Sequence, residues 1–423
     1  MSAKSKTGTV ARIDSTQLKP SEISIVIKHM VKVNLHNAAN NNKRRGLMIW
    51  GGPGLGKSAL VAQQAKAINY KLLDIRLSQM ESSDLRGIPV PINLDTPQVS
   101  VIWAIPHMLP RRYVDEFGRM HATCKFRDKS GVLKDGVYDA ATDTEYDGVI
   151  IMLDELPSAA ISVQASSYQM VLDAALGEWL APQNCVVIAA GNRETDRGGT
   201  YKMLKPLENR FTHVEIKADY EDWVENAVNE SYHPDVIGYV SAYKAELYQF
   251  DPKSSSRGFA TPRSWEATSD IIRGDPNIPH HVMFSMIGGT VGDGIAAKFM
   301  EHRTNAAKLP KASDVLDGKV LSMPIKETSL MFSLTTAMCY ELRERHLKLL
   351  PSNTQAKTDP ATKKKFDSNV DNFLGFMMKE FPPEMVIMGS RTALSNFRIK
   401  FNPTDMKNWD TFSDRYEDII LAV

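Results

Sequence analysis

Five mostly apolar runs occur in the first half of the chain, and polar or glycine-rich segments follow them. They lie at residues 46–50, 71–77, 148–153, 185–190 and 212–216. Short continuous apolar runs separated by helical patterns are typical of strands in a parallel sheet with both faces covered. The pattern therefore predicts an α/β domain built on a buried parallel sheet.

A helix is predicted between a polar N-terminal arm and the first apolar run. It follows Ser21, where Ile25, Ile27 and Val31 alternate with lysines, and it ends at the three asparagines 40–42. The residues before it have the polar composition of a flexible segment.

After residue 219 the chain shows helical patterns only. The predicted helices cover residues 219–230, 234–249, 261–273, 289–303 and 326–349. Residues 352–367 have the composition of a linker, and their lysine run at 363–365 is either a contact for an acidic partner or a solvated loop. The predicted parts are a flexible arm (1–20), an α/β subdomain (21–217), a helical subdomain (218–305) and a mainly helical C-terminal extension (306–423).

A glycine-rich loop, GGPGLGKS, joins the first apolar run to a helix. In such a loop the glycines let backbone N–H groups approach a triphosphate. A lysine can then reach the β- and γ-phosphates, a serine hydroxyl can bind Mg²⁺, and the following helix presents its positive N-terminal end. The predicted nucleotide-binding residues are Gly51, Gly52, Pro53, Gly54, Leu55, Gly56, Lys57 and Ser58.

Two later apolar runs end in polar residues that suit the same site. Residues 150–153 lead into Asp154 and Glu155, which lie at the carboxyl edge of a strand beside the loop if the sheet is parallel. Asp154 would hold Mg²⁺ directly or through a water, and Glu155 would polarise the attacking water. The run 186–190 leads into Asn192, whose amide can bind that water or the γ-phosphate.

An arginine stands directly before the last apolar run, in the segment Leu207-Glu208-Asn209-Arg210-Phe211. Arginine is suited to stabilise charge on a transferring phosphoryl group, and a neighbouring subunit can supply it in trans. A surface salt bridge is the competing interpretation of Arg210.

Composition restricts the class of protein. The chain has 423 residues, 43% apolar and 24% charged, which is ordinary for a globular protein of two or three domains. Its formal net charge of +1 gives no signature of a dedicated nucleic-acid binder. The cysteines 124, 185 and 339 lack metal-site spacing and indicate thiols in a reducing compartment such as the cytoplasm. No signal peptide or membrane span is predicted.

Taken in order, these segments resemble the AAA+ ATPases, and most closely their MoxR-like branch. The resemblance covers roughly residues 20–275 and rests on GGPGLGKS, IIMLDE, AAGNR, LKPLENRF and FATPRSWE. It implies a P-loop parallel sheet with an α-helical lid. It also implies that Arg263, in the last of these motifs, acts either in its own subunit or from the adjacent one. The implied roles are Walker A for Lys57 and Ser58, Walker B for Asp154 and Glu155, sensor 1 for Asn192, arginine finger for Arg210 and sensor 2 for Arg263.

The resemblance implies ATP hydrolysis with Mg²⁺ at the subunit interfaces of a homo-oligomeric ring, a hexamer. MoxR-like ATPases commonly act as chaperone-like remodelers with partners that carry a von Willebrand factor A domain, and this is the implied partner. A nucleic-acid motor is the alternative within related ring ATPases, but the neutral charge argues against it. A slow nucleotide-gated scaffold is the third interpretation, and Glu155 and Arg210 favour turnover instead.

A long segment, residues 79–146, separates the second and third apolar runs. It is longer than the resemblance leads us to expect, with a polar region from Arg111 to Asp147, and it is either a substrate-facing loop or surface decoration. Further on, a helix is predicted from Ile161, with the continuation GEWLAP forming a hairpin before the Asn192 strand.

Overall fold

The computed structural model describes residues 17–92, 100–196, 203–275, 278–349, 360–397 and 399–421. Most of the predicted N-terminal arm, and the part of the predicted linker before residue 360, lie outside these residues. The chain divides into two compact units, Met1–Ala218 and Asp219–Val423, and each is described by itself.

The first unit contains a sheet, several small hairpins and a set of helices. Its strands are β1 (Gln17–Leu18), β2 (Gly46–Trp50), β3 (Tyr70–Arg76), β4 (Ile88–Ile92), β5 (Ser100–Ala104), β6 (Lys125–Arg127), β7 (Leu133–Asp135), β8 (Val137–Asp139), β9 (Thr144–Tyr146), β10 (Gly148–Asp154), β11 (Ala175–Leu176), β12 (Trp179–Leu180), β13 (Cys185–Gly191) and β14 (Phe211–Ile216). Its helices are α1 (Pro20–Ala39), α2 (Lys57–Ala67), α3 (Ser82–Arg86), α4 (Ile161–Asp173) and α5 (Lys205–Glu208), with 3₁₀ turns at Leu77–Gln79, Leu156–Ser158 and Glu194–Asp196.

The sheet has six strands in the order β1-β14-β2-β13-β10-β3, and every pair is parallel. The predicted strands are confirmed as β2, β3, β10, β13 and β14. Residues 17–20, assigned from composition to the flexible arm, instead form β1 at the sheet edge and the start of α1. Backbone pairing with Glu215 and Ile216 stabilises β1, and the local composition does not show this.

Both faces of the sheet are covered, as the apolar runs predict. In β10 the side chains from Val149 to Leu153 are at most 3% exposed. Val149, Ile151 and Leu153 pack in one core with Val163 and Met170 of α4, and the intervening residues point to the opposite face because side chains alternate along a strand. The parallel α/β fold is therefore confirmed.

The segment between β3 and β10 consists largely of short antiparallel hairpins. β4 pairs with β5, β6 with β7 and β8 with β9. The predicted hairpin before the Asn192 strand is confirmed as β11 and β12. It begins directly after α4 because Ala174 adopts a left-handed conformation with φ 50°, which ends the helix.

The second unit is helical in its described residues. Its helices are α6 (Tyr220–Asn229), α7 (Pro234–Ala242), α8 (Pro262–Gly274), α9 (His280–Val291), α10 (Asp293–Ala306), α11 (Ala312–Leu316), α12 (Thr328–Leu349), α13 (Pro360–Glu380), α14 (Pro383–Ser390) and α15 (Trp409–Leu421), with 3₁₀ turns at Lys244–Glu246 and Pro403–Asp405 and a π-helical turn at Arg391–Asn396.

Three predictions for this unit differ from the structure. The helix predicted at 289–303 is divided between α9 and α10 at Gly292, whose φ of 95° suits glycine and interrupts the helix. The helix predicted at 234–249 ends at Ala242 and gives way to a 3₁₀ turn. Residues 360–367, assigned to the linker, begin α13, because Phe366, Val370 and Phe373 continue a buried helical stripe beneath the exposed lysines.

α7 and α12 approach each other closely at Gly238. A Cβ atom at this position would lie 2.0 Å from Ser333 Oγ, so only glycine allows the contact. Helices that the sequence assigns to the helical subdomain and to the C-terminal extension therefore pack together. No helix in the described ranges has the length and apolar composition that a membrane crossing requires.

A buried histidine lies beside this contact. His302 is 4% exposed, and its ring nitrogens lie 3.0 Å from Ser329 Oγ and 3.1 Å from Ser333 Oγ. The nearby charged groups are Asp235, Glu327 and Arg303. Burial lowers the pKa of His302 below its ordinary value of 6.5, because the charged form loses hydration.

We expect His302 to make the second unit sensitive to acid. The unfolded chain binds a proton at this residue more readily than the folded chain does, so the free energy of unfolding falls as the pH decreases through the region below about 6.5. His302→Gln should flatten this dependence by up to about 1.4 kcal/mol per pH unit. Urea unfolding between pH 8 and pH 5 measures it, with exposed His281→Gln as the control. Equal pH slopes for His302→Gln and the wild-type protein would contradict the expectation.

Candidate active site at the carboxyl edge of the sheet

The strand order brings the predicted site residues to one edge of the first unit. β2, β13, β10 and β3 are successive neighbours in the parallel sheet. Their carboxyl ends lead into the glycine-rich loop, Asn192, the Asp154-Glu155 pair and Ser78, respectively. Ligands of open parallel sheets bind at this edge, so the topology assembles a site from segments far apart in the chain.

The glycine-rich loop has the backbone that its composition predicts. Gly56 precedes α2 with φ 76°, a left-handed conformation that side chains disfavour. At Gly51, a Cβ atom would lie 2.4 Å from Cγ2 of Ile216 on β14. The loop therefore depends on glycine for its turn and for its approach to the neighbouring strand, and it ends where α2 presents unpaired N–H groups.

Lys57 and Asn192 are in direct contact. Lys57 Nζ donates to Asn192 Oδ1 at 2.9 Å and to the carbonyl oxygens of Gly51 and Gly52 at 2.8 and 3.0 Å. The ammonium group thus lies within the concave side of the loop, next to the amide at the end of β13. A phosphate group bound in the loop would meet both side chains.

Ser58 and Asp154 form a second contact at this edge. Ser58 Oγ donates to Asp154 Oδ2 at 2.7 Å, and the Glu155 N–H donates to Asp154 Oδ1 at 2.9 Å. On β3, the pKa of Asp74 is raised by burial and next by the nearby Asp154 carboxylate. These oxygen atoms are ligands that Mg²⁺ prefers.

Glu155 has an unusual backbone conformation. Its φ is 56° and its ψ is 31°, which is left-handed and costly for a residue with a side chain. Its carboxylate accepts a hydrogen bond from the Ser78 hydroxyl. Ser78 was missed by sequence reasoning, although it follows β3, and β3 pairs with β10 up to Asp154. A comparison of the first polar residues that follow neighbouring strands could have identified Ser78.

The segment after Asn192 is held by an ion-pair network that the sequence also did not predict. Arg193 Nη1 donates to Glu215 Oε1 at 2.8 Å, and its Nη2 lies 3.0 Å from Asp196 Oδ1. Hydrogen bonds to Asp196 and Glu215 raise the pKa of Arg193. The network joins the end of β13 to β14 and so limits the freedom of Asn192.

A second link joins the start of the glycine-rich loop to the segment that carries Arg210. Trp50 Nε1 donates to His213 Nδ1 at 2.8 Å, and His213 Nε2 donates to the Glu208 carbonyl at 2.8 Å. Because a carbonyl only accepts, the histidine proton lies on Nε2. Trp50 directly precedes the loop. The Trp50–His213 pair therefore connects the loop to the segment that carries Arg210.

Arg210 itself lies against α4. Its Nε donates to the Pro206 carbonyl at 3.2 Å, and its Nη2 donates to the Tyr168 hydroxyl. The structure therefore assigns its polar contacts to its own segment and α4. The roles of Arg210 and of the other site residues remain predictions.

Arg263 lies in the second unit. It is exposed on the first turn of α8, whose N-cap Thr261 accepts from the Ser264 N–H at 3.1 Å. Its predicted role as a sensor residue remains a prediction.

The parallel sheet and the glycine-rich loop define a P-loop α/β fold. Residues 47–217 match the family described as "ATPase family associated with various cellular activities (AAA)". This part of the chain is therefore an AAA ATPase domain, a family whose members in general bind and hydrolyse ATP.

Comparison with known proteins adds little beyond this domain. No curated protein matches the chain. The RuvB Holliday junction branch migration motor of Thermotoga maritima is 12% identical over 65% of this chain and 67% of that chain, with a TM-score of 0.31. A putative ATPase from Cytophaga hutchinsonii is 13% identical over 95% of this chain and 93% of that chain, with a TM-score of 0.27. At these TM-scores the similarity carries no argument about function.

Proposed function

We propose that this chain is a MoxR-like AAA+ ATPase that hydrolyses ATP with Mg²⁺ at the subunit interfaces of a homo-oligomeric ring and uses the cycle to remodel a partner protein. The observation that carries the proposal is the pair of contacts Lys57 to Asn192 and Ser58 to Asp154. They bring a cation, an amide, a hydroxyl and a carboxylate to the loop that suits a triphosphate.

The residues fit a bound magnesium ion of the kind that ATP carries. The described residues contain no group of three or more His, Cys, Asp or Glu side chains that could hold a metal. Mg²⁺ in nucleotide sites commonly takes few protein ligands and completes its shell with phosphate oxygens and waters. Ser58 and Asp154 would hold it, and when bound it neutralises charge on the β- and γ-phosphates.

The remaining side chains would carry out the hydrolysis. Lys57 would exchange its contacts with the loop carbonyls and Asn192 for phosphate oxygens, which frees the Asn192 amide to orient the attacking water. Glu155 would accept a proton from that water as it attacks the γ-phosphorus, and the bond to the bridging oxygen would break. Ser78 would hold the Glu155 carboxylate in place beforehand.

Arg210 supports a ring arrangement. It would stabilise the transferring phosphoryl group of a neighbouring subunit, so each site would be complete only in an assembly. A hexamer and Arg263 as sensor 2 belong to this proposal. So does a cytoplasmic location, which the buried thiols of Cys124, Cys185 and Cys339 support.

The proposed partner carries a von Willebrand factor A domain. We expect an affinity-tagged chain with Glu155→Gln to retain such a protein from the native host in ATP and Mg²⁺ and to release it in ADP. Recovery of no such protein in either nucleotide would remove this part of the proposal and leave the ATPase intact.

Lys57→Ala tests the nucleotide site directly. Hydrogen bonds to charged groups contribute about 1.5–3 kcal/mol each, so losing the ammonium group should weaken ATP binding by about 100-fold or more. Fluorescence titration with a labelled ATP measures this without turnover.

The matched control is Lys66→Ala, because Lys66 is exposed on the last turn of the same helix. It should bind ATP like the wild-type protein. Unchanged ATP affinity in Lys57→Ala would mean that this loop does not bind the triphosphate.

A further inference from the structure

The guanidinium group of Arg210 is folded onto a tyrosine of its own chain. Its Cζ atom lies 3.6 Å from the centroid of the Tyr168 ring. The group also donates through Nη2 to the hydroxyl of that tyrosine and through Nε to the Pro206 carbonyl. A guanidinium over an aromatic face is attracted by about 0.5–2 kcal/mol, so Tyr168 holds this side chain by two kinds of contact.

The third nitrogen of Arg210 has no access to an outside group in this position. Nη1 is buried and has no hydrogen-bond partner among the described residues. A phosphate oxygen cannot reach an atom without accessible surface, and the other two nitrogens have partners within the chain. Nη1 is buried and Nε already donates within the chain, so the guanidinium must leave Tyr168 before it can bind a phosphoryl group through two nitrogens.

In this folded position the buried Nη1 of Arg210 also lacks a hydrogen-bond partner among the described residues. A buried donor without a partner costs about 1–3 kcal/mol. Release would remove that cost and would allow paired, charge-assisted hydrogen bonds to an anionic acceptor. Release therefore exchanges the contacts with Tyr168 for contacts with an acceptor on a neighbouring subunit.

Tyr168 is well placed to act as a fixed support. Its neighbours on α4, Ser167 and Val171, are 0% and 2% exposed, so the helix is anchored in the core. On the same helix, Gln164 Oε1 accepts from the Leu204 N–H at 3.4 Å, directly before α5. The backbone of the arginine segment is therefore tied to α4 independently of Arg210, and only the arginine side chain has to move.

We propose that Tyr168 is a positioning residue that keeps Arg210 withdrawn in the unassembled chain and releases it when the triphosphate of a neighbouring subunit competes for the guanidinium. The inference rests on the proposed function, because it takes Arg210 as the residue supplied in trans. Assembly then carries a conformational cost, because the arginine must first leave Tyr168, and isolated chains hydrolyse ATP slowly. The apparent affinity for assembly equals the intrinsic affinity multiplied by the fraction of chains whose arginine is released.

The test compares Tyr168→Leu, which loses ring and hydroxyl, with Tyr168→Phe, which keeps the ring. The ATP hydrolysis rate per subunit is measured across protein concentration. The proposal expects Tyr168→Leu to reach its half-maximal rate at a protein concentration about 2- to 30-fold lower than the wild-type protein, with the same plateau. Tyr168→Phe should fall between the two and controls for folding, because it preserves the packing of α4.

A second measurement follows the tyrosine without turnover. Protein labelled with 3-fluorotyrosine is examined by ¹⁹F NMR, and the Tyr168 signal is assigned by its loss in Tyr168→Phe. The Tyr168 signal should shift when the subunits assemble with a non-hydrolysable ATP analogue. The shift should move it towards the position it has in unassembled Arg210→Ala. A signal that stays unchanged on assembly would overturn the proposal.

The outcomes separate this inference from the proposed function. If Arg210→Ala collapses the rate but Tyr168→Leu changes neither half-maximal concentration nor plateau, Tyr168 does not restrain the arginine and only this inference falls. A lower plateau in Tyr168→Leu would mean that Tyr168 supports the productive position instead, which also overturns it. A wild-type rate in Arg210→Ala would remove the trans arginine and this inference together.

Discussion

Arg210→Ala should lower ATP hydrolysis by about 10³- to 10⁵-fold, because arginines supplied to a transferring phosphoryl group contribute rate factors of this size. ATP affinity of the unassembled chain should change little, since Arg210 contacts Tyr168 and Pro206 and not the glycine-rich loop of its own chain. Rate per subunit across protein concentration and titration with a labelled nucleotide measure the two effects separately.

Arg127→Ala is the matched control for this change. Arg127 is an exposed arginine of the same unit on β6, outside the six-stranded sheet, and its removal should leave rate and concentration dependence unchanged. A wild-type rate that does not depend on concentration and persists in Arg210→Ala would mean that each chain contains a complete site. The ring proposal would then have to be abandoned or rebuilt on another arginine.

Glu155→Gln should separate binding from turnover. The amide keeps the size of the side chain but cannot accept the proton of the attacking water, and loss of a general base typically costs about 10²- to 10⁴-fold in rate. Lys57, Ser58 and Asp154 remain, so the variant should bind ATP with wild-type affinity and retain it. Single-turnover experiments with radiolabelled ATP followed by rapid desalting measure retention and cleavage in the same sample.

Glu178→Gln provides the control, because Glu178 is exposed at the turn between β11 and β12. It should hydrolyse ATP like the wild-type protein. If Glu155→Gln releases ATP as fast as wild type releases ADP, or cleaves it at the wild-type rate, Glu155 is not the base. The short polar residue Ser78 would then hold a carboxylate with a purely structural role.

The central sheet could be predicted because burial on both faces requires a recognisable apolar run in the sequence of each strand. A strand covered on each side must be apolar at every position, and β10 and β13 show such continuous runs. The glycine-rich loop was equally visible, since its conformation and its close approach to β14 require glycine at particular positions. For Asn192 and the Asp154-Glu155 pair, their place after apolar runs was sufficient to predict a shared edge.

Two of the errors arose where long-range packing overrode composition. The hydrophilic composition of residues 352–367 indicated a linker, yet one buried face of α13 is enough to order the part from residue 360 as a helix. At the sheet edge, Gln17 and Leu18 form a strand only because β14 offers unpaired backbone groups. In both cases the stabilising partner is distant in the chain, so no local window contains it.

The order of apolar runs, glycines and polar strand ends was thus enough to establish the parallel fold and to predict which residues meet at its edge, because each depends on local backbone or burial requirements. The contacts that surround those residues needed the folded chain. Ser78 reaches Glu155 across 77 positions, and Tyr168 meets Arg210 across 42. Such contacts depend on strand order and helix packing. The type of a residue does not indicate which distant side chain it will contact.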